Sequence, residues 1–499
     1  MTVEVLREDG STSERPAPTG HREFGPVLDF PGVGWAREST ISYRDANLHN
    51  DAMVDQYLAM DRARSLEDLQ DAHREHQGIP LFNTVAVDAD GTAWYADTSA
   101  TPNISPEAQQ AYTERLEAGG LTAIAEEAGA VLLEGNTSRD RWVDDPDAPW
   151  PGVLPYDELP QVERSDYLMN ANDSYWLPNA QAPIDGEFSI LQGEAATARS
   201  VRTRENLAVL SDTSPAGPAG EDGLFDLDEL TAAALRDEGY TEKQWREAVV
   251  QRCLAADGEV AHPEIPGSPG ADPIPAATVD LAGACEVLKA WDGRYDTDSR
   301  GAVLWREFTE RVDYDEMWAE GFDPEEPATT PSGLAPAPGE GADPVLVGLA
   351  EALGVLAAAG VEPDAPLGEV QFDGRSLEGR LPVPGGLGSE GVTNVVSGSS
   401  NASTMEERPS WPDPVADDST LTTEGYPITF GTSFLMAVAY GPDGPRARTI
   451  LTYGQVGDPD LAGFTSGVEA FAAKSWKEVE TDPEVLAADP DSTVVEVSA

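Results

Sequence analysis

Two asparagines mark the most polar and turn-rich part of the chain, in the block Asn170-Ala-Asn-Asp-Ser-Tyr-Trp176. The side-chain amide of an asparagine is a neutral hydrogen-bond donor that never titrates. Such a donor can be aimed in advance at negative charge that develops only in the transition state of acyl transfer. Asn and Asp also form ordinary Asx turns between strands, because they tolerate the left-handed conformation and bond their own backbone. The block therefore predicts either an oxyanion site or a structural turn.

The histidines of the chain form no familiar catalytic motif. The sequence contains no His-Glu-X-X-His motif, no Gly-X-Ser-X-Gly elbow, no phosphate-binding loop and no dinucleotide fingerprint. His73 and His76 are three residues apart and would share a helix face that could bind a metal ion. Because Asp71, Arg74 and Glu75 surround them, we interpret both histidines as solvated helix positions. We predict no metal site, and no pair among the 91 acidic residues stands out as a glycosidase dyad.

Turns and hydrophobic spacing indicate the elements that must position the Asn block. Asp90-Gly91 lies between two alternating apolar runs over residues 85–97, which predicts a β-hairpin. A second turn, at residues 441–445, separates two further apolar runs. Apolar residues at three- and four-residue spacing predict helix over 51–70, over 226–256 and over 344–359.

Pro/Gly-rich breaks divide the chain into three predicted regions. Residues 1–222 would carry core sheets and the Asn block, residues 223–380 would be mostly helical, and residues 381–499 would return strands to the core. The hydrophobic content of 40% and the 11 Trp are enough to fill a large core in a chain of this size. The expected fold class is α+β.

The net charge of −60 limits the partners of this chain. So acidic a surface repels nucleic acid and anionic membranes. No apolar run reaches the roughly 20 residues that a membrane-spanning helix needs, and the start of the sequence lacks the features of a secretory signal. The Lys-poor, acidic composition is common in halophile proteins, where salt screens self-repulsion. We favour that hypothesis over the alternative of an acidic secreted protein from a high-GC source.

The Asn block, the Gly-Glu that follows it and the Arg202-Thr-Arg204 helix resemble the penicillin acylase family of N-terminal-nucleophile hydrolases. Within that family, the aculeacin and acyl-homoserine-lactone acylase branch is the most similar. Further resemblance lies in His21–Val27, which is similar to the family's "HGP" strand, and in Gly78–Thr84 and Leu154–Pro160. These segments follow the family's order and span nearly the whole chain. The resemblance implies a partial αββα sandwich of two antiparallel sheets with a helical insertion.

The resemblance implies roles for several residues of the block. Asn172 would donate its side-chain amide to the oxyanion of the tetrahedral intermediate, with Asn170 as the alternative within the pair. Arg202 or Arg204 would orient the Asn loop, since both fit the family's spacing and differ only in the helix face that they occupy. A structural salt bridge is an equally valid interpretation of either arginine. Tyr175 and Trp176 would form walls of the acyl pocket.

The nucleophile of the family is a serine freed by self-cleavage, whose own α-amine acts as the base because its ordinary pKa of about 7.7–8.0 lies near neutrality. No segment of this chain resembles that serine. We therefore expect the small subunit and the nucleophile-bearing part of the large subunit to lie outside residues 1–499. Ser397-Gly-Ser-Ser-Asn401 resembles the Ser-Asn start but lies after the Asn block, in a Gly/Ser-rich stretch that indicates a flexible loop.

The resemblance also implies a setting and a reaction. Cys253 and Cys285 occupy places where aculeacin-like relatives have a cysteine pair, so we expect a disulfide and an oxidising compartment, extracellular or periplasmic. The alternative is a pair of unpaired buried thiols. No cofactor is expected, although Ca²⁺ occurs in the family with ligands mostly outside this chain. The implied function is hydrolysis of a linear amide between an acyl group and an amine. The alternative is a catalytically inactive remnant or a non-catalytic binding module of the same family.

Overall fold

The computed structural model describes residues 2–6, 12–16, 24–28, 40–256, 259–376, 379–398, 410–442, 444–461 and 463–490, together with residues 493 and 495. The chain folds into two compact units. Unit one comprises Met1–Asn170, Ser174–Pro178 and Ala182–Ala195, and unit two comprises Ala171–Asp173, Asn179–Gln181 and Ala196–Ala499. The three-region outline of the sequence stays a prediction. His21, at the start of the segment that resembles the "HGP" strand, lies outside the described residues.

Unit one combines short antiparallel sheets with helices. Its helices are α1 (Met53–Met60), α2 (Leu66–His76), α3 (Pro106–Glu117) and α4 (Leu121–Glu127). Its strands are β1 (Thr2–Leu6), β2 (Thr12–Pro16), β3 (Val27–Leu28), β4 (Ile41–Ser42), β5 (Thr84–Val87), β6 (Ala93–Ala96) and β7 (Gln161–Arg164). Strands β1 and β2 pair, β3 and β4 pair, and β5, β6 and β7 form a three-stranded sheet in that order. All of these pairings are antiparallel.

The predicted hairpin over residues 85–97 is confirmed as β5 and β6. Asp88 accepts hydrogen bonds through Oδ1 from the main-chain nitrogens of Asp90 and Thr92, at 3.0 and 2.9 Å, and so closes the turn. Gly91 has a positive φ of 88°, which a residue without a Cβ adopts at little cost. The helix predicted over residues 51–70 is instead two helices, because Ser65 caps the start of α2 by accepting from the Asp68 main-chain nitrogen at 3.1 Å.

The interpretation of His73 as a solvated position is wrong. Its side chain is buried on α2, its Nδ1 lies 2.8 Å from Thr98 Oγ1, and its ring packs edge-to-face on Trp94. Burial lowers the pKa of His73 to about 4, so the ring is neutral at pH 7. The error arose because charged neighbours in sequence lie on other faces of the helix. The position faces the sheet that carries Trp94.

Unit two contains most of the helices. They are α5 (Val201–Ser211), α6 (Leu227–Ala234), α7 (Glu247–Ala255), α8 (Ala282–Ala290), α9 (Ala302–Thr309), α10 (Tyr314–Met317), α11 (Pro344–Ala359), α12 (Leu367–Val370), α13 (Ser466–Ala472) and α14 (Pro483–Ala488). A π-helical turn, Glu242–Arg246, precedes α7. The predicted helix over 344–359 is confirmed as α11, which begins at a proline after the capping residue Asp343 and ends before Gly360, with φ 71°.

The strands of unit two form small sheets. They are β8 (Glu259–His262), β9 (Ala277–Asp280), β10 (Trp318–Glu320), β11 (Ser332–Leu334), β12 (Gln371–Asp373), β13 (Val396–Ser397), β14 (Tyr426–Ile428), β15 (Phe430–Gly431), β16 (Phe434–Gly441), β17 (Gly444–Leu451) and β18 (Lys477–Glu478). β16, β17 and β18 form an antiparallel sheet, and its first two strands lie on either side of the second predicted turn. β12 pairs with β14 in parallel. The mixed helix and sheet content agrees with an α+β class, while the sandwich of two sheets stays a prediction.

A hydrophobic cluster forms the interior of the described part of unit two. Trp245, Trp305 and Phe308 are fully buried in it, and Leu349 of α11 packs in the same cluster. Cys253 of α7 and Cys285 of α8 form a disulfide that closes a segment of 32 residues. In the chain-entropy model, closing a loop of that order stabilises the fold by about 3–4 kcal/mol.

Candidate functional site

The Asn172 loop has a left-handed backbone and an exposed side chain. Its φ is 56°, in the region that Asn tolerates better than most residues. The loop residues Ala171–Asp173 belong to unit two. This geometry agrees with both interpretations of the block, since an Asx turn and a presented donor need the same conformation. The partners of the loop show how it is held.

The Asp173 carboxylate attaches the loop to the start of α5. Its Oδ1 accepts from Arg199 Nη1 at 2.9 Å. Its Oδ2 accepts from the Ser200 main-chain nitrogen at 2.9 Å and from Thr203 Oγ1 at 2.7 Å. A carboxylate at a helix N-terminus is stabilised by the unpaired main-chain donors and by the positive end of the helix dipole. Because the Arg199 side chain is almost fully buried, this charge pair is well protected from solvent.

Arg202 contacts the amide of Asn172. Its Nη1 lies 3.5 Å from Asn172 Oδ1, a long hydrogen bond. An arginine only donates, so the atom that faces it must be the amide oxygen. The planar amide then directs its NH2 group away from Arg202. None of the described residues accepts a hydrogen bond from the Asn172 NH2 group, and the residue is exposed.

Arg204 occupies a different environment from Arg202 on the same helix. Its side chain is buried, its Nη1 donates to the Pro331 carbonyl, and its guanidinium lies 4.6 Å from the ring centres of both Tyr240 and Trp318. Residues two apart on a helix point about 200° from each other. The structure therefore directs Arg202 to the loop and Arg204 into the packed interior. The assignment of a catalytic role to Arg202 stays a prediction.

Helix α5 is held in this rotation by the contact of the buried Glu205 with Lys243, whose side chain is partly exposed. Glu205 accepts from Lys243 Nζ at 2.5 Å, and Lys243 also lies 3.1 Å from Glu238 Oε2. Burial raises the pKa of Glu205 to about 7 although Lys243 opposes that shift. A rotation of α5 would break this pair and the Arg204 contacts together. The direction of Arg202 is consequently fixed by residues that point away from it.

The remaining predicted site residues lie in unit one. Asn170 donates through Nδ2 to the Tyr95 hydroxyl at 3.3 Å, which braces the end of the segment against strand β6. Tyr175 and Trp176 are 4% and 5% exposed, and Tyr175 packs edge-to-face on Phe188 with ring centres 5.0 Å apart. The Trp176 carbonyl accepts from the Ile184 main-chain nitrogen at 2.8 Å. These are packing contacts, and the role of pocket walls stays a prediction for both aromatics.

Sequence reasoning missed the contribution of Arg199 and Asp173. The signal was present: Ser200 is a good helix-capping residue, and its Oγ accepts from the Thr203 main-chain nitrogen at 3.2 Å. A charged residue directly before such a cap is well placed to bind an acidic loop. The distance in sequence between Asp173 and Arg199 concealed the pair, because spacing alone does not reveal a contact across a long loop.

Further predictions from the sequence concern the Ser-Asn stretch, metal-binding groups and membrane-spanning helices. Ser400 and Asn401 of the Gly/Ser-rich stretch lie outside the described residues. In the described part of the chain, no group of three or more His, Cys, Asp or Glu side chains is arranged to hold a metal ion. None of the described helices is both long and apolar enough to cross a membrane.

Comparison with known proteins identifies the family. The family model for penicillin amidase matches residues 2–488. The chain therefore belongs to the penicillin amidase family, as the Asn block and its flanking motifs predicted. The structure is similar to thermostable penicillin G acylase from Alcaligenes faecalis, with a TM-score of 0.52 and 13% identity over 100% of this chain and 81% of that chain. At that level of identity the likeness concerns the fold alone.

Two curated relatives have informative names. The chain is 30% identical over 502 residues to the acyl-homoserine lactone acylase PvdQ of Pseudomonas savastanoi, covering 100% of this chain and 57% of that protein. It is 31% identical over 486 residues to the aculeacin-A acylase of Actinoplanes utahensis, covering 95% of this chain and 55% of that protein. The chain thus spans a little over half the length of these relatives. The relatives are acylases by name, in agreement with an amide-hydrolase family.

Proposed function

We propose that this chain is the part of a linear-amide acylase that supplies the oxyanion donor. Asn172 would donate its side-chain NH2 to the oxygen that becomes negative when a nucleophile attacks the acyl carbonyl. The observation that carries this proposal is the arrangement of Arg202 and Asn172, in which the guanidinium takes the amide oxygen and directs the NH2 group outward. Catalytic hydrogen bonds are often long before substrate binds, so a separation of 3.5 Å is compatible with the role.

The electrostatics of the loop favour such a donor. Asp173 is saturated by Arg199, Ser200 and Thr203, so its charge is neutralised close to Asn172. An unpaired carboxylate there would repel a developing oxyanion. A neutral, pre-oriented amide needs no reorganisation during the reaction, and one such donor lowers the barrier by about 2.7–4 kcal/mol. Arg202 would be a positioning residue and would not contact the substrate.

The nucleophile is proposed to come from polypeptide outside residues 1–499. The chain corresponds to 57% and 55% of the length of the two named relatives, which leaves room for a further segment of the acylase. In the family resemblance, that segment carries the small subunit and the N-terminal serine whose α-amine is the base. The Cys253–Cys285 disulfide supports an oxidising setting, extracellular or periplasmic. Halophily is proposed from the −60 charge.

Unit one carries an exposed apolar surface. Large apolar side chains are exposed on α1 and just after α2: Met53, Val54, Tyr57, Leu58, Leu81 and Phe82. The two segments adjoin, since Asn50 Nδ2 donates to the Gly78 carbonyl at 2.9 Å and Asn47 Nδ2 donates to the Pro80 carbonyl at 3.0 Å. An exposed apolar surface of this kind marks an interaction site in a strongly charged chain. A fatty or aryl acyl chain stays the substrate class that the family resemblance implies.

Hydrolysis assays test the proposal. The purified chain and the chain co-expressed with the polypeptide encoded immediately upstream would be assayed against penicillin G and a long-chain acyl-homoserine lactone. We expect turnover only for the pair, and none for the chain alone. Turnover by the chain alone that is abolished by Ser400→Ala would overturn the location of the nucleophile. Lack of turnover by the pair, together with normal folding of both parts, would favour the non-catalytic alternative.

A further inference from the structure

A tight turn of unit two lies against the two residues that begin α5. It is the 3₁₀ turn Gly388–Glu390, followed by Gly391 with a φ of 81°. A methyl group added at Gly388 would lie 3.6 Å from Arg202 Cδ and 3.7 Å from Arg202 Nε. One added at Gly391 would lie 3.1 Å from the Val201 carbonyl oxygen and 2.6 Å from Tyr240 Cβ. The absence of a side chain at Gly391 lets the turn approach α5 closely, while Gly388 has room for a methyl group beside Arg202.

Glu390 closes this turn from within. Its side chain is fully buried, and its Oε2 accepts from the Leu387 main-chain nitrogen at 2.5 Å. The Gly391 main-chain nitrogen donates to the Gly388 carbonyl at 3.2 Å. Thr241 Oγ1 donates to the Glu390 carbonyl at 3.3 Å. The backbone of the turn is therefore tied at both ends and at its centre.

Arg306 connects Glu390 to the interior of unit two. Its Nε and Nη2 both lie 3.4 Å from Glu390 Oε2. Its Nη1 donates to Gln371 Oε1 at 2.5 Å, and its Nη2 donates to the Gly385 carbonyl at 3.3 Å. Arg306 and Glu390 are both almost fully buried, and such a pair keeps its geometry because removing either partner strands the other charge. The turn is thereby fixed to helix α9 and strand β12.

We propose that Glu390 is a positioning residue for the Asn172 donor. Its carboxylate holds the turn against Arg202, and Arg202 holds the Asn172 amide. Within unit two, Arg306 binds Glu390, and Glu390 binds the Leu387 nitrogen at the start of the turn. The turn lies close enough to Arg202 that a Cβ at Gly388 would touch it, and Arg202 Nη1 lies 3.5 Å from Asn172 Oδ1. The catalytic consequence rests on the proposed function, while the structural coupling between Glu390 and Asn172 does not.

The coupling is measured on the chain alone by NMR of selectively ¹⁵N-asparagine-labelled protein. The side-chain NH2 signals of Asn172 are identified by their loss in Asn172→Ala. We expect Glu390→Ala to shift or broaden these signals, and Glu390→Gln to restore them, because the glutamine oxygen still accepts from the Leu387 nitrogen. Signals that stay at the wild-type position in a folded Glu390→Ala variant would overturn the proposal.

Glu307→Ala is the matched control for loss of a buried carboxylate. Glu307 is as buried as Glu390 and lies beside Arg306 on α9, but it accepts from Arg311 at 2.7 Å and from Ser419 at 3.0 Å instead of from the turn. We expect Glu307→Ala to lower the thermal midpoint without moving the Asn172 signals. Equal shifts of those signals in Glu307→Ala and Glu390→Ala would show a general loss of structure and would contradict a specific role.

A second pair of variants covers the case in which Glu390→Ala does not fold. Gly388→Leu leaves Glu390 and Arg306 unchanged but places a bulky side chain against Arg202. Gly388→Ala adds only a methyl group at ordinary contact distance from Arg202 and is the control. The proposal expects displaced Asn172 signals in Gly388→Leu and near wild-type signals in Gly388→Ala. Unchanged signals in Gly388→Leu would reject it.

Kinetics of the reconstituted acylase then separate the proposal from the proposed function. Glu390→Ala should lower kcat by up to about 10²-fold with little change in KM, since a misplaced donor loses transition-state contact before ground-state binding. NMR coupling without any hydrolysis by wild type would refute the proposed function and retain the positioning. Normal kcat for Glu390→Ala with a shifted Asn172 signal would refute the catalytic consequence of the coupling.

Discussion

The Asn block divides into two halves that are stabilised in opposite ways. Asn172 and Asp173 are partly or fully exposed and are held by charge and hydrogen bonds at the start of α5. Tyr175, Trp176 and Leu177 follow within a few residues and are buried. The first half belongs to unit two and the second to unit one. One short motif thus combines an exposed amide with a buried apolar anchor, and different forces hold its two halves.

The largest stability effect is expected in the aromatic half. Trp176→Ala should lower the free energy of unfolding by about 3–5 kcal/mol, because it removes a buried ring and leaves a cavity. Asn172→Ala should cost only about 1 kcal/mol, mainly from the left-handed backbone. Urea unfolding of the two variants measures the difference. Equal costs would contradict the division of the motif.

The two arginines of α5 should also differ in their contribution to stability, by a smaller amount than the two halves of the Asn block. Arg204→Gln should cost about 2 kcal/mol, since it removes a guanidinium stacked between Tyr240 and Trp318. Arg202→Gln should stay within about 0.5 kcal/mol of wild type, as is usual for surface positions. Thermal melts of both variants provide the test. A larger loss for Arg202→Gln would indicate that the structural salt-bridge interpretation fits Arg202 better.

The Asn block and the local helices and strands could be predicted from the sequence. The polar residues that contact the site helix and His73 could not. Hairpins and helix α11 follow from turn chemistry and periodicity, which are local signals. The choice between Arg202 and Arg204 depends on the rotation of α5, which Glu205 and Lys243 fix from positions far apart in sequence. His73 shows the same limit, since its burial depends on Thr98 and Trp94. The family resemblance implies roles for the site residues, but the directions of their side chains depend on tertiary contacts.

The stability that the buried Glu205 of α5 contributes should depend on pH. Burial raises the pKa of Glu205 from its ordinary value of 4.5 to about 7. A raised pKa means that the folded state binds the proton more tightly than the unfolded state, so this contribution is full below about pH 4.5 and is lost as the pH rises to about 7. Glu205→Gln should flatten the fall in thermal midpoint over that window. The same slope in the variant and the wild type would rule out Glu205 as its source.

Salt should raise the melting midpoint of the whole chain. It should hardly change the stability cost of a substitution in the aromatic half of the Asn block. The Debye screening length shortens from about 8 Å at 0.15 M salt to about 3 Å at 1 M salt. Repulsion between like charges within a chain of net charge −60 therefore decreases. The wild-type melting midpoint should rise between about 0.1 M and about 2 M KCl, while the cost of Trp176→Ala changes little. Circular dichroism measures both. Equal wild-type midpoints would refute the halophile hypothesis.

The most direct test of the account is the kinetics of Asn172→Ala in the proposed acylase, with the chain co-expressed with the polypeptide encoded upstream. We predict that kcat falls by about 10²–10³-fold with little change in KM, as expected for loss of one oxyanion donor. Asn170→Ala is the matched control, and it should act mainly through stability because Asn170 braces the segment on Tyr95. Near wild-type turnover for Asn172→Ala, with turnover abolished by Asn170→Ala, would contradict the assignment within the pair. Full activity of both variants would contradict an oxyanion role for the block.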